Sequence, residues 1–399
     1  MRLFCLVLFW ACLAILFYTY IGYPILLYLL VRLKRVFVSS RPVPESAEVF
    51  MPEITFIVAA YNEEKVIEKK IQNCFSLIYP SDKLKFIFVT DGSRDKTTEL
   101  VSAYPGIKLL HQEERKGKVS ALNRAMKEVN SPIVIFSDAN SFINPDAPGL
   151  IVRHYQDERV GGVAGEKKVL DPKRETGVVL EEGAYWKYES FLKKLDSSFY
   201  TVVGAAGELF SMRTKLFEFL SDEIIIEDFV QSLLICQKGY SVRYEPGAIA
   251  IETSSGSLKE EQARKIRIST GGFQAMGKLK SLFNVFRYPA ASFQFLSHRI
   301  LRWTICPLSL PLLFLANLYL AFDHPYNAYM YTLAFVLQVL FYLLGAIGLL
   351  LAVNNLRISA LTIPYYFIFM NVAVYIGFWA FIRNRQTVLW EKASRRDLA

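Results

Sequence analysis

Long apolar runs lie at both ends of this 399-residue chain, and a stretch of mixed polarity separates them. The first run, residues 3–31, contains no charged residue, and at ~1.5 Å per residue a helix of this length exceeds a hydrocarbon core of roughly 30 Å. It predicts a membrane helix that tilts, or bends near Gly22 and Pro24. A cleavable signal peptide is the alternative, but its apolar region needs only about 7–15 residues.

Three further apolar runs occur late in the chain, and each is near the ~20 residues that a membrane crossing needs. They cover about residues 303–322, 328–353 and 360–381. Arg32, Lys34 and Arg35 directly follow the first helix, which places that end and the following domain in the cytoplasm by the positive-inside rule. Three C-terminal crossings would put the basic tail on the opposite side, so either one segment is re-entrant or interfacial, or the tail is an exception.

Between these runs, apolar residues follow strand and helix periods in alternation. Strands are predicted at residues 54–60, 85–90, 107–110 and 133–136, and helices at 63–77 and 117–129. The alternation predicts an α/β domain with a mainly parallel sheet, in which ligands bind at the carboxyl ends of the strands. The predicted organisation is an N-terminal transmembrane helix (1–35), the α/β domain (50–280), an interfacial amphipathic segment (281–302), a C-terminal transmembrane region (303–382) and a basic tail (383–399).

Charge and cysteine content narrow the classes of partner. The formal net charge is +9, but basic residues cluster beside the hydrophobic runs, where anionic lipid headgroups are the simplest partner. No basic and aromatic recognition module is visible, so nucleic-acid binding is not expected. The five cysteines show no CxxC spacing, which indicates neither a zinc site nor a disulfide framework and agrees with a reducing cytosol.

Two aspartates stand at the ends of separate predicted strands. Asp91 begins the sequence Asp-Gly-Ser, and Asp138 begins Asp-Ala-Asn. Carboxylates at successive strand ends converge in space, and a pair of them near a diphosphate is suited to a divalent metal. Alternatively, Asp91 belongs to a turn and Asp138 caps the next segment. Their joint placement favours a metal site.

Two more groups of charged residues follow along the chain. Glu227 and Asp228 come directly after an apolar run, and a carboxylate there can act as a general base, cap the next helix, or do both. Arg264, Lys265 and Arg267 can neutralise a pyrophosphate leaving group, since Arg offers bidentate contacts to phosphate oxygens. Lipid headgroup binding is the alternative for these cations, although it leaves the acids unexplained.

Taken in order, these motifs resemble those of the membrane-bound family 2 glycosyltransferases, which have the GT-A (nucleotide-diphospho-sugar transferase) fold. That group contains cellulose, hyaluronan and poly-N-acetylglucosamine synthases and many bacterial exopolysaccharide enzymes. The resemblance covers about residues 54–274, and the flanking apolar runs fit the same group. With the cations above, it implies a UDP-sugar donor site formed by Asn62, Glu63, Asp91, Lys118, Arg264 and Arg267. The first three would hold the uridine.

The resemblance also implies a divalent metal, Mg²⁺ or Mn²⁺, at Asp138, which takes the place of the first acid in the family's DxD motif. The second acid is replaced by Asn140, whose amide oxygen carries less charge. Asp228 takes the place of the general base. The acceptor side is assigned to Glu227, Gly204 and Gly207.

The last motif departs most from the processive synthases. Arg267 aligns with the arginine of their QxxRW signature, whereas Arg264 stands at the glutamine and Ile268 at the tryptophan. That tryptophan shapes the acceptor site, so its replacement removes an aromatic platform and leaves processivity open. The variant resembles a bacterial branch associated with extracellular polysaccharide.

These features predict an inverting glycosyltransferase that moves a sugar from a UDP-sugar to a polysaccharide or lipid-linked acceptor. We expect it in the bacterial inner or plasma membrane, with its catalytic domain in the cytoplasm. One alternative is a non-processive transfer to a polyprenyl-linked carrier. An alternative of another class is an inactive nucleotide-binding membrane scaffold, which gives no reason for acids and cations at all the strand-end positions.

Overall fold

In the computed structural model, the middle of the chain folds around a mixed eight-stranded sheet. The structure describes residues 1–37, 50–170, 178–253, 257–323, 328–354, 356 and 358–384, so the predicted basic tail beyond residue 384 lies outside the described residues. The strands are β1 (Ile54–Ala60), β2 (Leu84–Asp91), β3 (Ile107–Gln112), β4 (Ile133–Asp138), β5 (Phe142–Ile143), β6 (Val160–Leu170), β7 (Phe210–Arg213) and β8 (Ser241–Thr253). Their order in the sheet is β3-β2-β1-β4-β7-β6-β8-β5.

Helices cover both faces of this sheet and form the apolar ends of the chain. They are α1 (Arg2–Phe17), α2 (Tyr23–Phe37), α3 (Ile67–Phe75), α4 (Thr97–Ser102), α5 (Lys118–Met126), α6 (Ala147–Val152), α7 (Val178–Phe199), α8 (Glu227–Gln237), α9 (Leu258–Lys278), α10 (Pro289–Phe295), α11 (Leu301–Trp303), α12 (Ile305–Phe322), α13 (Ala328–Val353) and α14 (Ser359–Ile382). Two π-helical turns, Tyr18–Gly22 and Leu296–Ile300, continue α1 into α2 and α10 into α11.

The first four strands confirm the predicted parallel arrangement. β1 pairs in parallel with β2 and β4, and β2 pairs in parallel with β3. The register aligns Ala60 with Thr90 and Ala59 with Asp138, so the carboxyl ends of β1, β2 and β4 share one edge. Beyond β4 the sheet is mixed, because β7 runs antiparallel to both β4 and β6 and β5 runs antiparallel to β8, whereas β6 and β8 are parallel.

Both faces of the sheet are covered, and for this reason every residue of β1 is buried. On one face, Ile57 packs in a cluster with Val119 of α5. On the other face, Phe56 packs in a cluster with Ile67 of α3. Phe295 of α10 belongs to the first cluster, so the segment that follows the predicted domain is part of the domain's core.

Helix α3 begins at Ile67, later than the predicted start at Glu63. The N–H of Asn62 donates to Ser93 Oγ at 3.0 Å, and the N–H of Glu63 donates to Thr97 Oγ1 at 2.8 Å. Residues 64–66 form a turn that leads into the helix, since Glu63 O accepts the N–H groups of Val66 and Ile67 at 2.9 Å, while side chains of the loop after β2 hold the N–H groups before this turn. The result ties the end of β1 to the end of β2.

Four helical segments among the described residues are long and apolar enough to cross a membrane. They are Arg2–Phe37, Ile305–Phe322, Tyr329–Val353 and Ala360–Ile382. One N-terminal and three C-terminal segments agree with the prediction. The π-helical turn Tyr18–Gly22 lies where the sequence predicts a bend.

Helix α14 packs directly against α9 of the domain. A Cβ atom at Gly377 of α14 would lie 2.6 Å from Ser269 Cβ and 3.0 Å from Thr270 N, both on α9. Thr270 Oγ1 also donates to Gly377 O at 3.2 Å. A small residue therefore lets the two backbones approach closely, and the last apolar helix lies against the α/β domain.

The segment predicted as interfacial places its basic side chains against α7. Arg302 Nη1 lies 2.6 Å from Glu189 Oε1, and Arg299 Nη2 lies 3.1 Å from Glu189 Oε2. His298 Nδ1 lies 2.7 Å from Asp196 Oδ2. These contacts occupy basic side chains that the sequence offers to lipid headgroups. The interfacial position of the segment itself stays a prediction.

Candidate active site

A cavity of about 1370 Å³ lies at the carboxyl edge of the sheet and extends to α14. The predicted site residues that line it are Glu63, Lys118, Asp138, Asn140, Gly204, Gly207, Glu227, Asp228, Arg264 and Arg267. Within the described part of the chain, Asn62 and Asp91 are the two predicted site residues that do not line it. Folding therefore brings most of the predicted residues to one cavity.

Lys118 connects the acids of this cavity. Its Nζ lies 2.8 Å from Asp138 Oδ1 and 2.9 Å from Glu227 Oε1. A Cβ atom at Gly207 would lie only 2.7 Å from Lys118 Nζ and 3.3 Å from Asp228 Oδ2. Glycine at this position therefore leaves room for the ammonium group and for Asp228. We call Lys118, Asp138, Glu227 and Asp228 the charged centre.

Burial and neighbouring charges set the protonation states in the charged centre. Burial raises the pKa of Asp228 to about 7; Glu227 adds to this rise and Lys118 opposes it. Burial also raises the pKa of Asp138, and Lys118 opposes that rise. Burial lowers the pKa of Lys118, but the three acids outweigh it and raise this pKa well above its ordinary value. Lys118 is thus charged, while Asp228 exchanges its proton near neutral pH.

Asp228 lies in the first turn of α8, and its Oδ1 accepts the N–H of Phe229 at 2.8 Å. The N-cap of α8 is Ile226, so Asp228 is not the capping residue that the alternative predicts, although an acid in the first turn interacts favourably with the helix dipole. Gly204 has φ +90, and a Cβ atom there would lie 2.2 Å from Phe229 Cδ2. Gly204 therefore admits the Phe229 ring. Its assignment to the acceptor side stays a prediction.

Asp91 is buried and supports the loop that leads into α5. Its carboxylate accepts the N–H of Lys116 at 2.9 Å and the N–H of Gly117 at 2.7 Å. These bonds fix the start of α5 and thereby the position of Lys118. Asn62 similarly accepts the N–H of Arg94 at 2.8 Å. The uridine contacts expected of Asp91 and Asn62 stay predictions, and the cavity lining gives them no support.

Among the residues that helix α9 contributes to the cavity are two guanidinium groups and the side chain of Ile268. Arg264 Nε lies 3.1 Å from Glu261 Oε2, and Arg267 Nη2 donates to Ile225 O at 3.1 Å. Ile268, which stands where QxxRW has its tryptophan, lines the same cavity and is 37% exposed. The predicted cations therefore reach the cavity, and they are held there by partners on α9 and before α8.

Glu208 and Glu252 line the cavity and pair with Lys167, a buried lysine that does not line it; this ionic group was not predicted. Lys167 Nζ forms ion pairs with Glu208 and, at 2.8 Å, with Glu252 Oε2. Lys167 lies on β6 and Glu252 on β8, two strands for which no local pattern was recognised. Glu208 follows Gly207 in a loop of small residues. A single acid in such a loop was the one feature of the sequence that could have marked Glu208 as a site residue.

The oxygen donors at the end of β4 fit a hard divalent cation. The carboxylate of Asp138 and the side chain of Asn140 line the cavity together. No three His, Cys, Asp or Glu side chains form a complete metal site among the residues that the structure describes. Mg²⁺ does not need such a cluster, because it commonly takes one or two carboxylates and adds substrate phosphates and water. The two side chains therefore fit a metal that is bound together with a diphosphate.

Known sequences resemble this chain over much of the α/β domain. The profile of the Glycosyl transferase family 2 matches residues 55–220. The poly-β-1,6-N-acetyl-D-glucosamine synthase of Staphylococcus aureus (strain COL) is 27% identical over 250 residues, which cover 59% of this chain and 57% of that protein. The probable glycosyltransferase YdaM of Bacillus subtilis (strain 168) is 26% identical over 257 residues, 58% of each protein. The chain thus matches somewhat more than half the length of these relatives.

A solved structure agrees on the fold. The mannosyltransferase PcManGT from Pyrobaculum calidifontis, determined with GDP-mannose and Mn²⁺, matches with a TM-score of 0.67 at 22% identity, over 95% of this chain and 100% of that one. At this identity the likeness shows the fold alone. The family profile identifies residues 55–220 as a family 2 glycosyltransferase domain, and the solved structure shows that the chain has the GT-A fold.

Proposed function

We propose that this chain is an inverting transferase that moves a sugar from a UDP-sugar to an acceptor hydroxyl at the membrane, in the synthesis of an extracellular polysaccharide. The observation that carries this proposal is Asp228, which lines the cavity beside Lys118 and has a pKa of about 7. A general base works best when its pKa lies near the operating pH. The relatives support a polysaccharide product, since one of them is a poly-β-1,6-N-acetyl-D-glucosamine synthase.

The proposed reaction is a single displacement. Asp228 accepts the proton of the acceptor hydroxyl, whose oxygen forms a bond to the anomeric carbon as the bond to the diphosphate breaks. The electron pair of the broken bond leaves with the nucleoside diphosphate, and the configuration at the anomeric carbon inverts. Arg264 and Arg267, which line the cavity, stabilise the charge on this leaving group.

Asp138 and Asn140 would hold Mg²⁺ or Mn²⁺, which neutralises charge on the diphosphate when bound. Lys118 keeps a fixed positive charge between Asp138 and Glu227 and faces the donor. Glu63 contacts the nucleoside, with Asn62 and Asp91 supporting the loops beside it. Glu227, Gly204 and Gly207 form the acceptor side in this proposal.

Asp228→Asn tests the assignment of the base. We expect transfer to fall by about 10²-fold or more, while UDP binding measured by calorimetry stays near that of the wild type. The donors are a panel that includes UDP-N-acetylglucosamine and GDP-mannose, and release of the nucleotide is measured with and without acceptor. Asp222→Asn, at an exposed acid before α8, is the matched control.

Two results would contradict the proposal. Transfer by Asp228→Asn at the wild-type rate would exclude Asp228 as the base. UDP binding by the wild-type chain without turnover of any donor would instead favour the inactive nucleotide-binding scaffold.

The far end of the cavity favours a second acceptor class, a polyprenyl-linked carrier. Ile363, Phe367 and Val374 of α14 line this end, so an apolar chain finds apolar partners there. Lys193 also lines the cavity, is 3% exposed, and its Nζ has no hydrogen-bond partner among the described residues. An anionic headgroup would provide that partner. The size of the product distinguishes the two acceptor classes. A ladder of polymers supports extension of a polysaccharide, and a lipid that carries one sugar supports transfer to a polyprenyl-linked carrier.

We place the protein in the bacterial inner or plasma membrane with the catalytic domain on the cytoplasmic side. The four apolar helices and the cations at the end of α2 support this location. Lys34 Nζ donates to Phe199 O at 2.5 Å, so the same end of α2 contacts the domain. Membrane lipids are the expected surroundings of the four helices.

A further inference from the structure

Trp303, the last residue of α11, lines the cavity just before the first C-terminal apolar helix. Its indole packs on Phe229 with ring centroids 5.3 Å apart, and Phe229 directly follows Asp228 in the chain. Trp303 and the residue proposed to activate the acceptor therefore line the same cavity, and Phe229 connects them. We infer that Trp303 contacts the acceptor sugar and forms an aromatic wall of the acceptor subsite, an assignment that rests on the proposed transfer reaction.

Helix α9 has a gap in its side-chain surface that receives this indole. A Cβ atom at Gly272 would lie 2.9 Å from Cδ2, 2.9 Å from Cε2 and 3.0 Å from Cε3 of Trp303. Nearly equal distances to three adjoining ring atoms put Gly272 over the face of the indole rather than at its edge. One face of the ring thus lies on α9, and only glycine at position 272 permits this position. Phe229 of α8 meets the ring at an angle of 57° between the ring planes, so it does not stack on the other face.

The chemistry of a pyranose matches such a wall. The face of an aromatic ring is electron-rich, and the C–H groups on one side of a sugar ring carry a weak positive charge, so the two pack favourably. Ile268 of α9 stands where the QxxRW signature has its tryptophan, and its aliphatic side chain has no electron-rich face. The sequence predicts the loss of an aromatic platform at Ile268; an indole from α11 enters the same cavity instead.

A tryptophan at this position could have two other roles, and each predicts a different effect of its removal on stability and kinetics. An indole at the end of a membrane segment can anchor that segment at the interface, in which case its removal changes stability but not the Michaelis constant for the acceptor. An indole that only supports Phe229 and Asp228 would lower kcat for transfer and for donor hydrolysis alike. A wall of the acceptor subsite changes the Michaelis constant for the acceptor and leaves donor hydrolysis unchanged.

The test compares Trp303→Leu and Trp303→Phe with the wild type, as full chains purified in detergent. UDP-N-acetylglucosamine is the donor and octyl β-N-acetylglucosaminide the acceptor, and nucleotide release is followed with and without acceptor. We expect Trp303→Leu to raise the Michaelis constant for the acceptor by about tenfold, and Trp303→Phe to raise it less because a ring remains. The Michaelis constant for the donor and the rate of hydrolysis without acceptor stay within about twofold.

A pair of glycines on α9 gives a matched test that leaves Trp303 in place. Gly272→Ala introduces a methyl group where the indole lies, whereas a Cβ atom at Gly277 meets nothing within 4 Å. Both changes raise helix propensity by a similar amount. We expect Gly272→Ala to raise the Michaelis constant for the acceptor and Gly277→Ala to leave it unchanged.

The inference fails if Trp303→Leu and Gly272→Ala have the wild-type Michaelis constant for the acceptor. It also fails if both variants lower the rates of sugar transfer and of donor hydrolysis equally. Where the wild type does not turn over this pair, the most active donor and acceptor of the panel replace it. If no pair in the panel turns over, the proposed function fails first, and the assignment of Trp303 falls with it. An active wild type with unchanged variants contradicts only the role of Trp303.

Discussion

Asp228 has a pKa of about 7, which makes its protonation the residue-scale feature with the clearest kinetic consequence. The base must be unprotonated, so we expect kcat/KM for transfer to fall about tenfold per pH unit below 7 and to level off above it. Initial rates between about pH 5.5 and 8.5 at constant ionic strength measure this.

The stability of the fold moves in the opposite direction for this group. Because the folded state raises the pKa of Asp228 above its value in the unfolded chain, the folded state binds more protons between about pH 4 and 7. Protonation of Asp228 therefore stabilises the fold as the pH falls through this window. If the midpoint of thermal unfolding does not drop between pH 7.5 and 6, the fall in rate over this range is due to protonation of Asp228 and not to unfolding. A transfer rate that is independent of pH would contradict the assignment of Asp228 as the base.

Lys118 is the charge that opposes the rise in the pKa of Asp228. Lys118→Met removes it, so we expect the pH of half-maximal activity to move upward and the rate at pH 7 to fall by about tenfold. The same pH profile measures this shift. Lys116→Met, which removes an exposed ion pair with Glu114 at 3.0 Å, is the control and should keep the wild-type profile. A profile of Lys118→Met that is lower but not shifted would show that Lys118 does not set this pKa.

Local patterns identified the acids of the charged centre because each follows a recognisable strand or apolar run. Asp138 is the last residue of β4, and Glu227 and Asp228 come after the run 224–226. Asp91 likewise ends β2, yet its carboxylate accepts backbone N–H groups, a role that no sequence pattern distinguishes from a ligand contact. Lys193 and Trp303 reach the cavity from distant helices, so their roles depend on tertiary packing alone.

At the scale of elements, α7 and the segment after the domain are joined by Glu189, which is 1% exposed. Burial raises the pKa of Glu189, but Arg299 and Arg302 outweigh it and hold this pKa well below its usual range. Glu189→Gln would leave two largely buried guanidinium groups without their carboxylate. We expect the free energy of unfolding to fall by about 3–5 kcal/mol, measured by thermal or denaturant unfolding in detergent.

The same change at an exposed acid shows whether the lost stability comes from the burial of Glu189 or merely from the loss of a negative charge. Glu99→Gln, on the surface of α4, should alter the free energy of unfolding by less than about 0.5 kcal/mol. If Glu189→Gln unfolds with the wild-type midpoint, the ion pairs between α7 and the segment 296–302 do not hold these elements together.

The sequence predicts well the strands and helices whose apolar residues follow a clear strand or helix period. It does not predict those that form only by pairing with distant parts of the chain. Strands β1 to β4 and helix α5 lie where the pattern predicts them, because apolar residues of each one pack in or against the two core clusters. Strands β6 to β8 were missed because their pairing with each other joins distant parts of the chain. The basic residues of 298–302 suggest a lipid-facing helix by sequence, but buried acids on α7 pair with them instead.

For the whole molecule, the cavity joins sugar-transfer chemistry to the membrane part. The charged centre lies at the carboxyl edge of the sheet, and residues of α14 line the same cavity. Close packing of α9 on α14 at Gly377 holds these two parts together. An acceptor attached to the membrane could thus reach Asp228 along α14, whether it is a growing polysaccharide or a lipid carrier.

The number of crossings decides on which side of the membrane each connection lies. Every crossing switches sides, so if α12, α13 and α14 all cross, the connection after α13 lies on the side of the catalytic domain and the start of α13 lies opposite. The native cysteines Cys5, Cys12, Cys74, Cys236 and Cys306 are all buried, so an added exposed cysteine is labelled selectively.

We expect Asp82→Cys on the domain and Asn354→Cys after α13 to react with a membrane-impermeant maleimide only when spheroplasts are permeabilised, since both positions are exposed on the proposed cytoplasmic side. Tyr329→Cys, at a position that is 89% exposed, should react in intact spheroplasts. Labelling of Asn354→Cys in intact spheroplasts, with Asp82→Cys protected, would mean that α12 or α13 does not cross. Labelling of Asp82→Cys itself would reverse the proposed orientation, because the positive-inside rule would then fail at Arg32, Lys34 and Arg35.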